Sequence, residues 1–139
     1  MSWSTFDSKK HKTLNKPVFT YCLVGICTIM MIDAIRLNHW QFESMRVNPM
    51  LGPSAEVLLY QGAKSTDEIV NKGEYGRLIS PMFLHAGIFH YVLNMLALKA
   101  IGCAVEQSHG TLTAAVIFCV PAIGGTILSA LFLPEYISG

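Results

Sequence analysis

Charge is what this sequence has least of. Only 14% of its 139 residues are Asp, Glu, Lys or Arg, and ten basic residues nearly cancel nine acidic ones, for a net charge of +1. Nucleic-acid binding calls for basic clusters with interleaved aromatics against the phosphates. The sequence has none, which excludes a nucleic-acid partner. The four cysteines (Cys22, Cys27, Cys103, Cys119) form no CxxC pair and all lie in apolar runs. They read as small buried apolar residues rather than a disulfide framework or a zinc site, and they leave the redox compartment undecided. No Asn-x-Ser/Thr sequon occurs, so N-glycosylation cannot report topology. What fills the remaining space is apolar: 52% of residues are hydrophobic and the mean hydropathy is +0.43. Those values are high for a soluble domain of this length and predict a single-domain, all-α, multi-pass membrane protein.

Taken in order, residues 1–16 are a polar tail with Lys9, Lys10, Lys12 and Lys16 against one acid, Asp7. The pattern is not that of a mitochondrial transit peptide, and a secretory-pathway or plasma membrane is expected instead. The first apolar span, near 18–35, follows Pro17, where a missing N–H does no harm, and no cleavage site follows it. Four lysines precede it, while 36–77 balances five basic against five acidic residues. The positive-inside rule then places the amino terminus in the cytosol and the long 36–86 loop outside. Within that loop Asn48-Pro and Gly52-Pro are turn signals, Ser54 is placed to cap a short helix over 55–60, and the apolar content predicts packing on the membrane domain. A second span is expected near 87–105, a polar turn over Glu106–Gly110, and a third span near 112–133. Lys99, deep in the second span, is expected to snorkel toward an interface. Pro121 and Gly124-Gly125 in the third span predict a kink and close helix packing.

The second span opens on Phe83-Leu-His85-Ala-Gly-Ile-Phe-His90-Tyr-Val-Leu-Asn94. On a helix His90 and Asn94 are four apart and share a face, within the first two turns and so near the membrane surface. Polar groups there mark a functional site or a helix contact. The spacing leaves three readings open: two donors for a developing oxyanion, a metal or haem held by His85 and His90, or hydrogen bonds to neighbouring helices.

Four blocks resemble one family. Phe83-Leu-His85-Ala-Gly-Ile-Phe-His90-x-x-x-Asn94 looks like the second-helix signature of rhomboid intramembrane serine proteases. Asn48-Pro-x-Leu-Gly-Pro-Ser and Gly62-Ala63 resemble the first external loop of eukaryotic rhomboids, and Gly102-x-x-x-Glu106-x-x-x-Gly110 resembles the family's turn between its second and third helices. The resemblance implies the first three helices of a six-helix core, with a serine nucleophile on the fourth and a histidine base on the sixth. It further implies transmembrane protein segments as substrates and no cofactor. His90 and Asn94 would hold the oxyanion, while Arg77, His85, Gly102, Glu106 and Gly110 would be structural.

Two departures bear on this. The family's usual Trp-Arg is Gly76-Arg77 here, and the nucleophile motif Gly-x-Ser-Gly is absent, the nearest match being Tyr136-Ile-Ser138-Gly139. No histidine follows His109. The expectation is therefore the amino-terminal half of a rhomboid that cleaves nothing by itself. The alternatives are a non-catalytic rhomboid-like protein that binds transmembrane clients, and a small haem or metal subunit using His85 and His90.

Overall fold

A computed structural model describes residues 16–137, so the tail lysines Lys9, Lys10 and Lys12, and Ser138, lie outside the described residues. Three helices are long and apolar enough to cross a membrane: α1 (Val18–Leu37), α4 (Ile88–His109) and α5 (Thr111–Phe132). Two short helices, α2 (Ala55–Tyr60) and α3 (Thr66–Asn71), lie between α1 and α4. They are followed by 3-10 turns at Tyr75–Leu78 and Ser80–Phe83. No strand occurs among the described residues. Apolar side chains cover the long helices on almost every side, and Leu93, Leu96, Leu128 and Leu131 point away from the protein. Such a surface suits hydrocarbon or further apolar helices rather than water.

Local sequence accounts for the helix ends. Pro17 stands at the start of α1, and Ser54 and Ser65 cap α2 and α3 by accepting from Val57 N and Glu68 N at 3.4 Å each. α4 and α5 are joined by Gly110 alone, at φ 88° and ψ 164°. That left-handed conformation is open to glycine and strained for other residues.

The second long helix corrects the sequence expectation. There is no polar turn over 106–110; α4 runs on to His109 through a π-helical stretch at Leu98–Gly102. The reason is Glu106, whose fully buried carboxylate needs partners and finds them on the neighbouring helices. It accepts from Phe19 N (3.0 Å), Thr20 N (2.8 Å), Thr20 Oγ1 (2.8 Å) and Thr111 Oγ1 (2.9 Å). Two of these are orphan donors of the first turn of α1, so one acid at the end of α4 satisfies the start of α1 and touches the start of α5. Lys99 lies in the π-helical stretch with its side chain exposed.

The small residues also differ from expectation. A Cβ added at Gly124 or Gly125 of α5 would meet nothing within 4 Å. The close helix approach falls at Gly102 instead, where a Cβ would meet Thr20 Cγ2 at 3.0 Å.

The segment between α1 and α4 packs on the opposite end of the bundle. Leu58, Ala63 and Leu84 form a buried cluster against Met30 of α1. Gln61 Nε2 donates to Met30 O at 3.2 Å and to Asp33 Oδ2 at 3.1 Å. Lys64, fully buried, donates to Leu133 O and Tyr136 O at 2.6 Å each and so clamps the residues after α5. Burial pushes the Lys64 pKa below its ordinary value, with nearby Glu135 acting in the opposite sense.

Candidate active site

His90 and Asn94 lie in the first two turns of α4. With His85 they line one cavity of about 450 Å³ between α1, α4 and α5, whose other walls are mostly apolar and include Leu23, Pro81 and Phe118. The Asn94 side chain is exposed and has no hydrogen-bond partner among the described residues. His90 is half-buried, and its Nδ1 accepts from Ala86 N at 3.4 Å. A ring nitrogen that accepts carries no proton, so in the neutral ring the proton sits on Nε2. Two side-chain donors, an imidazole N–H and an amide NH2, are then available one helical turn apart. Chemically, such a pair can stabilise negative charge on an oxygen placed between them.

His85 sits before the helix and is 6% exposed. Its ring centroid lies 5.3 Å from that of His90 and 5.4 Å from that of Tyr91, the latter edge-on at 84°. Burial, with the neighbouring His90 second and the Phe83 backbone opposing, lowers its pKa to about 4. His85 is therefore neutral at physiological pH, and its Nδ1 is buried without a partner among the described residues. Tyr91 was not singled out by the sequence, since a tyrosine in an apolar run carries no signal of its partner. Its hydroxyl lies 2.7 Å from Thr28 Oγ1. Thr28 already donates to Val24 O at 2.6 Å, so Tyr91 is the donor and ties α4 to α1 beside the histidines.

The remaining sequence candidates lie away from this pair. Arg77 holds the loop together: Nη1 donates to Leu59 O (2.7 Å) and Ala63 O (2.9 Å), and Nε to Glu74 Oε2 (2.6 Å). Gly102 and Glu106 line the contact with α1 at the far end of α4, and Gly110 forms the turn beyond it. His85 and His90 alone make a poor metal centre. Among the described residues no group of three or more His, Cys, Asp or Glu is placed to hold a metal ion, and a catalytic zinc takes three protein ligands.

Missed in the sequence was the way the loop docks on the entry of α4. Ile88 N donates to Leu51 O at 3.0 Å and Phe89 N to Met50 O at 3.2 Å, so loop carbonyls cap the helix start. The backbones approach too closely for side chains: a Cβ on Gly52 would run into Ala86 O, and one on Gly87 into Met50 O. The turn residues Asn48-Pro and Gly52-Pro were the available signal, but turn chemistry does not say what a turn docks against.

Comparison with known proteins points to one family. A family model for the Rhomboid domain matches residues 72–139. The chain is 42% identical over 102 residues to RHOMBOID-like protein 6, mitochondrial, of Arabidopsis thaliana, covering 73% of this chain and 33% of that protein. It is 36% identical over 106 residues to Inactive RHOMBOID-like protein 8 of the same plant, covering 74% of this chain and 30% of that one. The match to Rhomboid protease GluP of Bacillus subtilis is 33% identical over 119 residues, or 86% of this chain and 21% of GluP. The chain thus spans about a third or less of the length of these relatives. No solved structure matches it significantly. With its apolar helices and these matches over most of its length, the chain is an integral membrane protein and belongs to the rhomboid family.

Proposed function

We propose that this chain supplies the oxyanion side of a rhomboid-type intramembrane serine protease acting on transmembrane segments of other membrane proteins. The observation that carries the reading is the pair His90 and Asn94, one turn apart on α4 and lining one cavity, with His90 Nδ1 engaged so that Nε2 is left to donate. In this scheme a serine attacks the scissile carbonyl, a histidine takes its proton, and the two donors receive the charge that develops on the carbonyl oxygen. The site near one end of α4 suits hydrolysis, because water is available at that depth.

These 139 residues contain neither Gly-x-Ser-Gly nor a histidine after His109. The 139-residue polypeptide by itself is accordingly predicted to cleave nothing. Incubating the purified chain with a transmembrane substrate tests this, and cleavage above background refutes it. Where nucleophile and base are supplied by further sequence, His90→Ala or Asn94→Ala lowers kcat by roughly 100- to 1,000-fold, the effect of removing one oxyanion donor. Unchanged kcat in both variants overturns the assignment of His90 and Asn94 to the oxyanion.

The second reading, a non-catalytic rhomboid-like protein that binds transmembrane clients, is supported by the 36% identity to a relative named inactive. It predicts crosslinks to intact client helices and no cleavage product even with further sequence present. The orientation we propose puts the amino terminus in the cytosol, on the strength of the lysines before α1. We place the chain in a secretory-pathway or plasma membrane. The relative named mitochondrial makes import into isolated mitochondria the direct test, and import refutes this placement.

A further inference from the structure

One loop residue outside the catalytic scheme reaches the site through the backbone. Asn48 Nδ2 donates to Ala86 O at 2.8 Å and to Pro53 O at 3.3 Å, while its Oδ1 accepts from Met50 N at 3.0 Å. Ala86 in turn is the residue whose N–H donates to His90 Nδ1. The surrounding backbone is committed to the same contact. Leu51 takes a left-handed φ of 55°, a conformation strained for a non-glycine residue. Its carbonyl accepts from Ile88 N, and Met50 O accepts from Phe89 N. Gly52 and Gly87 permit the approach. The whole turn over 48–53 is thus fastened to the two residues before α4 and to its first turn.

We propose that Asn48 is a positioning residue for His90: by holding Ala86 in place it aims the Ala86 N–H at Nδ1 and so keeps the imidazole proton on Nε2. Which ring nitrogen is protonated follows the hydrogen bond made by the other one. The Nε2–H tautomer is the form that can donate into the cavity, and with Nδ1 free the two tautomers compete. The functional value of this control rests on the reading of His90 as an oxyanion donor; the control itself does not.

The test uses the purified chain labelled with 15N-histidine, with His90 assigned by its loss in His90→Gln. Nitrogen–proton correlations across the ring distinguish the tautomers. The unmodified protein shows the Nε2–H form. Asn48→Asp keeps the acceptor for Met50 N but loses the donor to Ala86 O, and it raises the Nδ1–H fraction several-fold. Asn48→Ser, too short to reach Ala86 O and free of added charge, does the same and guards against a misfolded or charge-perturbed Asp variant. Ser54→Ala loosens the same loop by removing the α2 cap and leaves the tautomer unchanged. A His90 tautomer unmoved in both Asn48 variants, or moved as far by Ser54→Ala, overturns the proposal.

In protein extended to include nucleophile and base, Asn48→Ser lowers kcat roughly 2- to 10-fold with KM unchanged, short of the roughly 100-fold loss of a whole donor. If the tautomer moves and kcat does not, the positioning role stands and the oxyanion reading of His90 fails. If neither moves while His90→Ala is inactive, the oxyanion reading stands and Asn48 is only part of the loop.

Discussion

Replacing Glu106 with alanine should be among the most destabilising single changes in this protein. The carboxylate is fully buried, has no cation within ion-pair distance among the described residues, and accepts from four donors on two other elements. Its charge is balanced by the amino-terminal ends of α1 and α5 instead. In Glu106→Ala the Thr20 and Thr111 hydroxyls can rotate toward backbone carbonyls, whereas Phe19 N and Thr20 N, fixed in the first turn of α1, cannot. Each stranded buried donor costs roughly 1–3 kcal/mol, so the two together cost about 4 kcal/mol, a large share of the stability of a domain this size. Glu106→Gln keeps one oxygen but turns an NH2 toward donors, and should cost about 2 kcal/mol. Thr20→Val retains the backbone bond and should cost about 1 kcal/mol, with clear coupling to Glu106→Gln in a double-mutant cycle. The readout is thermal unfolding in micelles, followed by reaction of the Cys27 thiol, 1% exposed when folded, in a background where the other cysteines are removed. A loss below about 1 kcal/mol for Glu106→Ala, or equal losses for Gln and Ala, would refute the claim that this carboxylate joins the helices through its hydrogen bonds.

Three further outcomes follow from the same geometry. His85 has its folded-state pKa lowered from 6.5 to about 4, so the unfolded chain binds the proton first as pH falls. The stability due to neutral His85 is complete above about pH 6.5, is lost toward pH 4, and amounts to about 3 kcal/mol at most. His85→Gln should flatten that part of a Tm-against-pH curve, and an unchanged slope contradicts the burial argument. Gly87→Ala sets a Cβ against Met50 O, a backbone atom that cannot swing aside, and should cost about 3 kcal/mol or more, read as protease sensitivity of the 38–54 loop. In Arg77→Lys an ammonium cannot serve Glu74 and the carbonyls of Leu59 and Ala63 together, so Tm should fall by an amount equivalent to about 1 kcal/mol. Full retention of Tm there means the guanidinium fork is dispensable.

Where the determinants are local, the sequence alone was sufficient. Three apolar runs, the Ser54 cap and the shared face of His90 and Asn94 follow from composition, capping and helical period, each decided within a few residues. Local rules misled where tertiary contacts outvote them. Glu106 reads as the start of a polar turn, yet donors 86 and 87 residues away keep it helical and buried. Gly124-Gly125 reads as a packing seam and faces open space, while Gly102, marked in the sequence only through the family resemblance, carries the close approach to Thr20. Lys64 carries no local signal of burial, yet it is sealed by carbonyls 69 and 72 residues on. Asn48 reads as a turn former, and only its partner 38 residues on, Ala86, links that turn to His90. The sequence determined which segments enter the membrane and which polar face they carry, because hydrophobicity and helical period are properties of neighbours along the chain. The tertiary structure decided how that face is aimed, because a buried polar group takes its orientation from whichever distant donor or acceptor the fold brings within 3 Å or so.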